Sequence, residues 1–249
     1  MDDPLSIAVR NVRKNFGSTV ALDDVSLTFE AGLMHGLIGP EAAGKTTLLR
    51  VLLGLMKPGA GEVTYFCGGR PVDFEDIRPQ AAYMPQTQSL YADLSIEEHL
   101  DFFRALNGIP RDAYRARREE LLHMTRLAEF ADRPAGQLSG GMYKKLGLMC
   151  ALLRSPRAIL LDEPTNGVDP ISRREFWDML YRLADRKILI LVATAYRDEA
   201  ERCSRVHLLE RGRVVAEGEP RELLAREGVK SFDALFMRRA AAAIGRPGA

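Results

Sequence analysis

Eight consecutive residues, Gly39-Pro40-Glu41-Ala42-Ala43-Gly44-Lys45-Thr46, fit the pattern G-x-x-x-x-G-K-[ST]. A loop of this kind turns its backbone N–H groups inward at the start of a helix, where the helix dipole favours an anion, and so cradles phosphate. Lys45 would reach the outer phosphates, and the Thr46 hydroxyl would hold Mg²⁺. A second group, Leu160-Leu161-Asp162-Glu163, ends an apolar run with two adjacent carboxylates. One can reach a magnesium ion through water, and the other can polarise an attacking water. Read alone, this motif is weak, and a helix N-cap or a surface pair is the better reading of it. The third group is Leu138-Ser139-Gly140-Gly141-Met142. A Ser-Gly-Gly run that opens a helix offers a hydroxyl, bare amides and a positive dipole end, which makes a second phosphate site in the same chain. One nucleotide does not need two such sites, whereas two chains sharing two nucleotides do.

The elements that must position these groups are legible from periodicity. Ile7–Val9 and Val25–Phe29 alternate apolar and polar residues as half-buried strands, with a polar turn expected at Phe16–Thr19. Leu33–Ile38 reads as a buried strand feeding the phosphate loop, and Lys45–Leu55 as a core helix ended by the Pro58–Gly61 cluster. Gly61–Phe66 and Ala81–Met84 read as further short strands. From Ser95 to Phe130 the pattern turns helical, opened by a capping box of Ser95 and Glu98 and punctuated by Pro110 and Pro134. A helix is expected from Gly140 to about Arg154, a strand at Ala158–Leu161, and a helix whose apolar stripe is Phe176, Met179, Leu180 and Leu183. Lys187–Ala193 is another buried strand, and Val206–Glu210 with Arg213–Glu217 forms a hairpin around Arg211-Gly212. Ser231–Ala249 reads as a short helix and a loose end. Strands alternating with helices predict an α/β fold with a parallel sheet.

Composition excludes several classes of function. The chain has 249 residues, 46% of them hydrophobic, enough for one domain with a sizeable core. Its 35 Lys and Arg nearly balance 34 Asp and Glu, leaving a net charge of +1 and no expectation of a nucleic-acid partner. The Arg115–Arg118 stretch reads as a solvated helix face. No run reaches the roughly 18 apolar residues that span a bilayer, and no start resembling a signal peptide is apparent. Three scattered cysteines, Cys67, Cys150 and Cys203, lack metal-ligand spacing and fit a reducing cytoplasm.

Taken in order, the phosphate loop, Gln86, the Leu138–Met142 run, the Leu160–Glu163 run and Gly167-Val168-Asp169 resemble the ATPase subunits of ABC transporters. The resemblance covers Ile7 to Leu224. Pro170–Trp177 and Tyr91–Ser95 are similar to ATPases of type 2 exporters, and in particular to the N-terminal halves of tandem ATPases of multidrug type. It implies a P-loop NTPase core with a parallel sheet, an antiparallel β subdomain and a helical subdomain of about residues 88–154, within a domain of 1–225 followed by a C-terminal helix and tail, 226–249. It also implies ATP and Mg²⁺ as ligands. Phe16 would stack on adenine with Val20 beside it, and Gly39, Pro40, Glu41, Ala42, Ala43, Gly44, Lys45, Thr46 and Thr47 would hold the phosphates. Thr46, Gln86 and Asp162 would serve the metal. Catalysis would fall to Glu163, with Lys45 and Gln86, and Ser139, Gly140 and Gly141 would complete the site of an opposite subunit. Asp169 would lie in the loop that meets that subunit. The implied partners are transmembrane permease subunits and a second ABC ATPase chain, on the cytoplasmic face of the membrane as a peripheral subunit. Gln88–Phe103 is expected to dock the membrane subunits.

Two departures from the family pattern bear on chemistry. The phosphate loop carries Glu41 and Ala42 where the family has Asn and Gly, so a Cβ and a negative charge enter a backbone that must bend around a polyanion. Ala195, in Ala193-Thr194-Ala195, stands where the family has a His that donates to the γ-phosphate. Losing one such contact costs ~10²–10³ in rate in other enzymes. Tyr196 is adjacent, but neighbouring strand residues point to opposite faces. The sequence therefore supports ATP hydrolysis that drives export through separate membrane subunits. A rival reading is an ATP-binding partner that hydrolyses little itself, favoured by Ala195 and opposed by Glu163. A soluble ABC ATPase of repair or translation is disfavoured by the lack of long inserts or a second ATPase unit. The Ala195 position and the intact signature together favour a heterodimer over a homodimer.

Overall fold

Alternating burial begins at the first strand. Leu5, Ile7 and Val9 point inward while Ser6, Ala8 and Arg10 lie on the outer side, the period of a sheet with one covered face. The computed structural model describes residues 3–87 and 90–244, and of residues 240–244 only the backbone. Strands β1 (Leu5–Phe16), β2 (Thr19–Phe29), β4 (Ala60–Cys67) and β5 (Arg70–Val72) form an antiparallel sheet in the order β2-β1-β4-β5. The turn expected over Phe16–Thr19 is tighter than that. Phe16 and Thr19 are themselves paired, and only Gly17 and Ser18 lie between the strands.

The second sheet has the order β10-β9-β3-β8-β7-β6. It is built from β3 (Met34–Ile38), β6 (Ala81–Met84), β7 (Ala158–Asp162), β8 (Leu189–Thr194), β9 (Arg205–Glu210) and β10 (Arg213–Gly218). All pairings are parallel except the β9–β10 hairpin. Its central strands β3, β7 and β8 are buried at every residue, as expected of strands covered on both faces. Ile190 and Val192 face one core and Leu189, Leu191 and Ala193 the other. On the second face α1 (Lys45–Leu52) packs between the two sheets through Leu48, Leu49 and Leu52.

On the first face lie α3 (Ile96–Leu106), α4 (Arg111–Thr125), α5 (Gly140–Leu152) and α6 (Pro170–Ala184), with α7 (Pro220–Arg226) and α8 (Phe232–Ile244) beyond them. A short α2 (Phe74–Ile77) precedes β6. The capping box at α3 is formed as expected. Glu98 N–H donates to Ser95 Oγ at 3.2 Å, and Ser95 N–H donates to Glu98 Oε2 at 2.8 Å. The expected helix Lys45–Leu55 stops at Leu52. Gly54 takes φ +61°, and the amides of Leu55 and Met56 fold back onto the Arg50 carbonyl, so the chain leaves the helix through a left-handed cap. The helical segment expected from about Gln88 begins outside the described residues, and the loose end beyond Ile244 lies outside them too. Among the described residues, no helix is long and apolar enough to cross a membrane.

Candidate functional site

Parallel pairing brings the carboxyl ends of β3, β7 and β8 level. Ile38 is opposite Thr194, and Asp162 is opposite Ala193. Every residue that follows one of these strands therefore enters the same crevice: Gly39 after β3, Glu163 after β7 and Ala195 after β8. This edge of an open α/β sheet is where such folds bind ligands.

The phosphate loop is fixed on both sides. Gly39 N–H donates to Thr194 C=O at 3.3 Å, and Gly212 N–H donates to Ala43 C=O at 2.9 Å. Gly44 takes φ +105°, and a Cβ there would collide with the Ala21 carbonyl of β2, so only glycine lets the loop lie against that strand. Ala42 also lies in the left-handed region at φ +58°, so the backbone turn is kept in spite of its Cβ. Glu41 and Pro40 are exposed. Leu48 N–H makes the first helical bond, to Gly44 C=O at 2.9 Å, which leaves the amides of Lys45, Thr46 and Thr47 without helical acceptors at the positive end of the dipole.

Lys45 is buried, with 6% of its surface exposed. Its ammonium donates to Gly39 C=O at 2.8 Å and Pro40 C=O at 3.0 Å, and lies 3.3 Å from Glu163 Oε1. The other Glu163 oxygen accepts the Ala195 N–H at 3.2 Å. Glu163 itself sits at φ +47°, a left-handed conformation held by its own N–H donating to Ala193 C=O at 2.8 Å. Its carboxylate is thus bracketed by one cation and one amide. Ala195 contributes its backbone and no side-chain donor.

Asp162 is buried beside it. Tyr83 Oη of β6 donates to Asp162 Oδ2 at 3.2 Å, while Oδ1 is buried with no hydrogen-bond partner. Burial and the adjacent Asp162 charge push the Tyr83 phenol up to about 12, so it remains a donor across the neutral range. A buried carboxylate oxygen left orphaned costs free energy unless a ligand completes it. With the Thr46 hydroxyl at the start of α1 and the Gln86 amide after β6, the donors are all hard oxygens, the set Mg²⁺ prefers. The residues present therefore fit a magnesium ion.

The remaining predicted residues are dispersed around this centre. Phe16 and Val20, each 49% exposed, lie on the β1–β2 hairpin, next to the Ala21 carbonyl that abuts Gly44. The Lys14 ammonium lies 5.7 Å from the Phe16 ring centroid. Ser139 caps α5, accepting the Met142 N–H at 3.3 Å, and with Gly140 it is exposed. Gly141 is buried, and a Cβ on it would strike Ser172 of α6. Asp169 caps α6 through the amides of Ile171 and Ser172, at 3.1 and 3.0 Å, and these bonds hold its carboxyl below the usual value.

Side chains with no motif of their own complete the crevice. Tyr83 is one. Lys144 of α5 is another: its ammonium donates to the Gln86 carbonyl at 3.2 Å. Tyr196 lies beyond the end of β8 at Thr194, so strand alternation does not govern it. Its hydroxyl donates to Asn166 Oδ1 at 3.1 Å, and the Arg173 guanidinium lies 4.3 Å from its ring centroid. Buried Glu199 ties the same region together, accepting from Thr165 Oγ1, Arg173 Nε and Trp177 Nε1 at 2.6, 2.8 and 3.1 Å. All of these depend on contacts between distant segments, which local spacing in the sequence does not show.

Comparison with known proteins agrees with this geometry. The family model described as ABC transporter matches residues 22–166. The probable multidrug ABC transporter ATP-binding protein YbhF of Escherichia coli (strain K12) is 43% identical over 218 residues, covering 85% of this chain and 37% of that protein. The chain thus spans little more than a third of that relative. The Nod factor export ATP-binding protein I of Burkholderia lata is 40% identical over 223 residues, 89% of this chain and 73% of that protein. Among solved structures, an ATP binding subunit of an ABC transporter superposes with a TM-score of 0.80 at 30% identity, covering 93% of this chain and 98% of that one. A dimeric ATP-binding cassette in a post-hydrolysis state bound to ADP and Pi gives 0.74 at 25% identity, over 86% and 98%. A phosphate loop, paired strand-end carboxylates and a signature helix in one α/β frame, with relatives of this kind, establish that the chain belongs to the ABC transporter family as an ATP-binding domain.

Proposed function

We propose that this chain binds ATP and hydrolyses it, and that hydrolysis powers export through separate membrane subunits. The observation that carries the reading is the convergence of Lys45, Asp162 and Glu163 at the level carboxyl ends of β3 and β7, beside the free amides of α1. Phosphate would rest on the amides of Lys45, Thr46 and Thr47, held by charge and dipole together. Lys45 would exchange its contacts with Gly39 and Pro40 for phosphate oxygens and leave Glu163 at the same time. The Glu163 carboxylate, still oriented by the Ala195 amide, would then be free to accept a proton from the attacking water. Thr46, Gln86 and Asp162 would hold Mg²⁺, which when bound supplies positive charge against the outer phosphates. Tyr83 fixes one oxygen of Asp162 and leaves the other for that ion. Phe16 and Val20 would flank the adenine.

A second reading has its own support. With no side-chain donor at position 195, this site would turn over slowly, and the chain would act chiefly as the ATP-binding half of an unequal pair. Ser139, Gly140 and Gly141 would then serve the partner's nucleotide, and the 88–154 segment would form the helical subdomain that carries them. Export is favoured by what the relatives are named for, multidrug transport and Nod factor export. The position would be peripheral, on the cytoplasmic face. Docking of the membrane subunits falls to residues 90–103 and the adjoining cavity of about 430 Å³, lined by Tyr83, Met84, Leu90, Phe103, Leu106 and Cys150.

The test of catalysis is steady-state ATP turnover by the unmodified chain and by Glu163→Gln. A positioned base is worth ~10²–10⁴ in rate, so the variant should lose at least ~100-fold while still binding nucleotide. Turnover that survives the substitution would place the base elsewhere.

A further inference from the structure

The two lysines of the signature helix are used differently. Lys145 is buried and paired, its ammonium 2.6 Å from Glu175 Oε2. Lys144, the next residue back, is half-buried and makes no ion pair among the described residues. Its ammonium crosses instead from α5 to the segment after β6 and donates to the Gln86 carbonyl at 3.2 Å. Burial lowers the basicity of this ammonium, and the Asp162 and Glu163 carboxylates of the strand end act against that shift. Held on a neutral carbonyl beside the crevice, with no ion pair among the described residues, this cation is not compensated by a direct counter-ion there. The side chains of Gln86 and Asp162 are among the groups that fit the magnesium ion, with Asp162 Oδ1 orphaned.

We propose that Lys144 is a positioning residue that places a fixed positive charge at the metal end of this chain's own nucleotide site, favouring metal-free nucleotide relative to the magnesium-bound form. The proposal rests on the reading of this crevice as an ATP site. A fixed positive charge favours the two ligands unequally, because nucleotide carrying magnesium has less net negative charge than nucleotide without it. A nearby ammonium attracts the polyanion when no divalent cation accompanies it. It repels Mg²⁺, and it competes with the metal for the field of Asp162 and Glu163. Being part-buried, the charge is screened less than a surface lysine. Lys144 therefore narrows the gap between affinity with and without magnesium. A lysine that merely braced α5 against the Gln86 segment would change both affinities by the same factor.

The experiment titrates a fluorescent ATP analogue into the full chain, once with Mg²⁺ and once with EDTA, for the unmodified protein, Lys144→Met and Lys144→Arg. Met keeps the apolar stem at a half-buried position and removes the charge, whereas Arg keeps the charge. The ratio of the metal-free to the metal-bound dissociation constant should rise about fivefold or more in Lys144→Met, the scale of one unit charge acting across a partly screened site. It should stay near the original in Lys144→Arg. If the ratio is unchanged in Lys144→Met, or rises equally in both variants, Lys144 is only a brace and the proposal is overturned. Should Lys144→Met fail to fold, Lys144→Gln carries the same comparison. No binding by the unmodified chain under either condition would overturn the ATP reading itself, an outcome distinct from an unchanged ratio.

Discussion

At the scale of single residues, the crevice is organised by what Lys45 and Glu163 do to each other. Each occupies the other where phosphate and water would sit, at 3.3 Å, so the basic and acidic groups are both spoken for until a polyanion arrives. The loop accepts a penalty to be shaped this way. Ala42 sits at φ +58°, where a Cβ costs roughly 1–2 kcal/mol. Glycine there would remove that strain but add about 0.4–1 kcal/mol of unfolded-chain entropy. Ala42→Gly should therefore stabilise the protein by about 0.5–1 kcal/mol, read as a raised denaturant midpoint at constant slope. A lowered midpoint would mean that Ala42 is not strained. The motif residues were legible in the sequence because phosphate chemistry demands fixed types at fixed local spacing. Tyr83 on Asp162 was not, because that contact depends on the placement of β6 beside β7, 79 residues apart. The Glu199 hub was invisible for the same reason, with Thr165, Arg173 and Trp177 converging on one buried oxygen.

At the scale of elements, helix and strand types were readable from period, and ends were readable only where a cap or a break marked them, as at Ser95 before α3 and at both ends of β6. The stop of α1 at Leu52 follows from a left-handed Gly54, which the apolar run through Leu55 concealed. β2 begins at Thr19, well before the alternation at Val25 becomes clean, because its first residues are pinned by pairing with β1 rather than by burial. Exposed apolar side chains gather at α3 and the segment before it. Tyr91, Phe102 and Leu106 are 56%, 38% and 68% exposed, beside the cavity under Leu90 and Phe103. Exposed apolar side chains clustered around a concave site mark a place where another chain docks. Photo-crosslinkers placed at Tyr91 and Leu106 in the assembled transporter should label a membrane subunit. Labelling confined to soluble proteins would contradict docking through this face. The first residues of the expected docking segment, Gln88 and Ser89, lie outside the described residues.

At the scale of the whole molecule, we propose that the chain works as one half of a pair. Its Ser139 and Gly140 are exposed at the start of α5, and Asp169 stands at the cap of α6 close by, with Gly140 against the Gly167 carbonyl. In a pair with a chain that carries the missing His, the site built on Lys45, Glu163 and Ala195 would be slow. The site built on the partner's loop and this chain's Ser139 would be fast. Purified alone, this chain should hydrolyse ATP slowly and gain from Ala195→His. Mixed with such a partner it should be accelerated, and Ser139→Ala should abolish the acceleration. Rapid turnover alone, with no gain from the His, would point to a homodimer. All of this presupposes that the loop of residues 39–47 holds nucleotide, and the most direct measurement of that is magnesium-dependent binding of a fluorescent ATP analogue to the unmodified chain and to Lys45→Ala. The account predicts saturable binding in the first and a loss of about 100-fold or more in the second, the scale of a buried charge-assisted contact to phosphate. Equal affinity in the two proteins would contradict it.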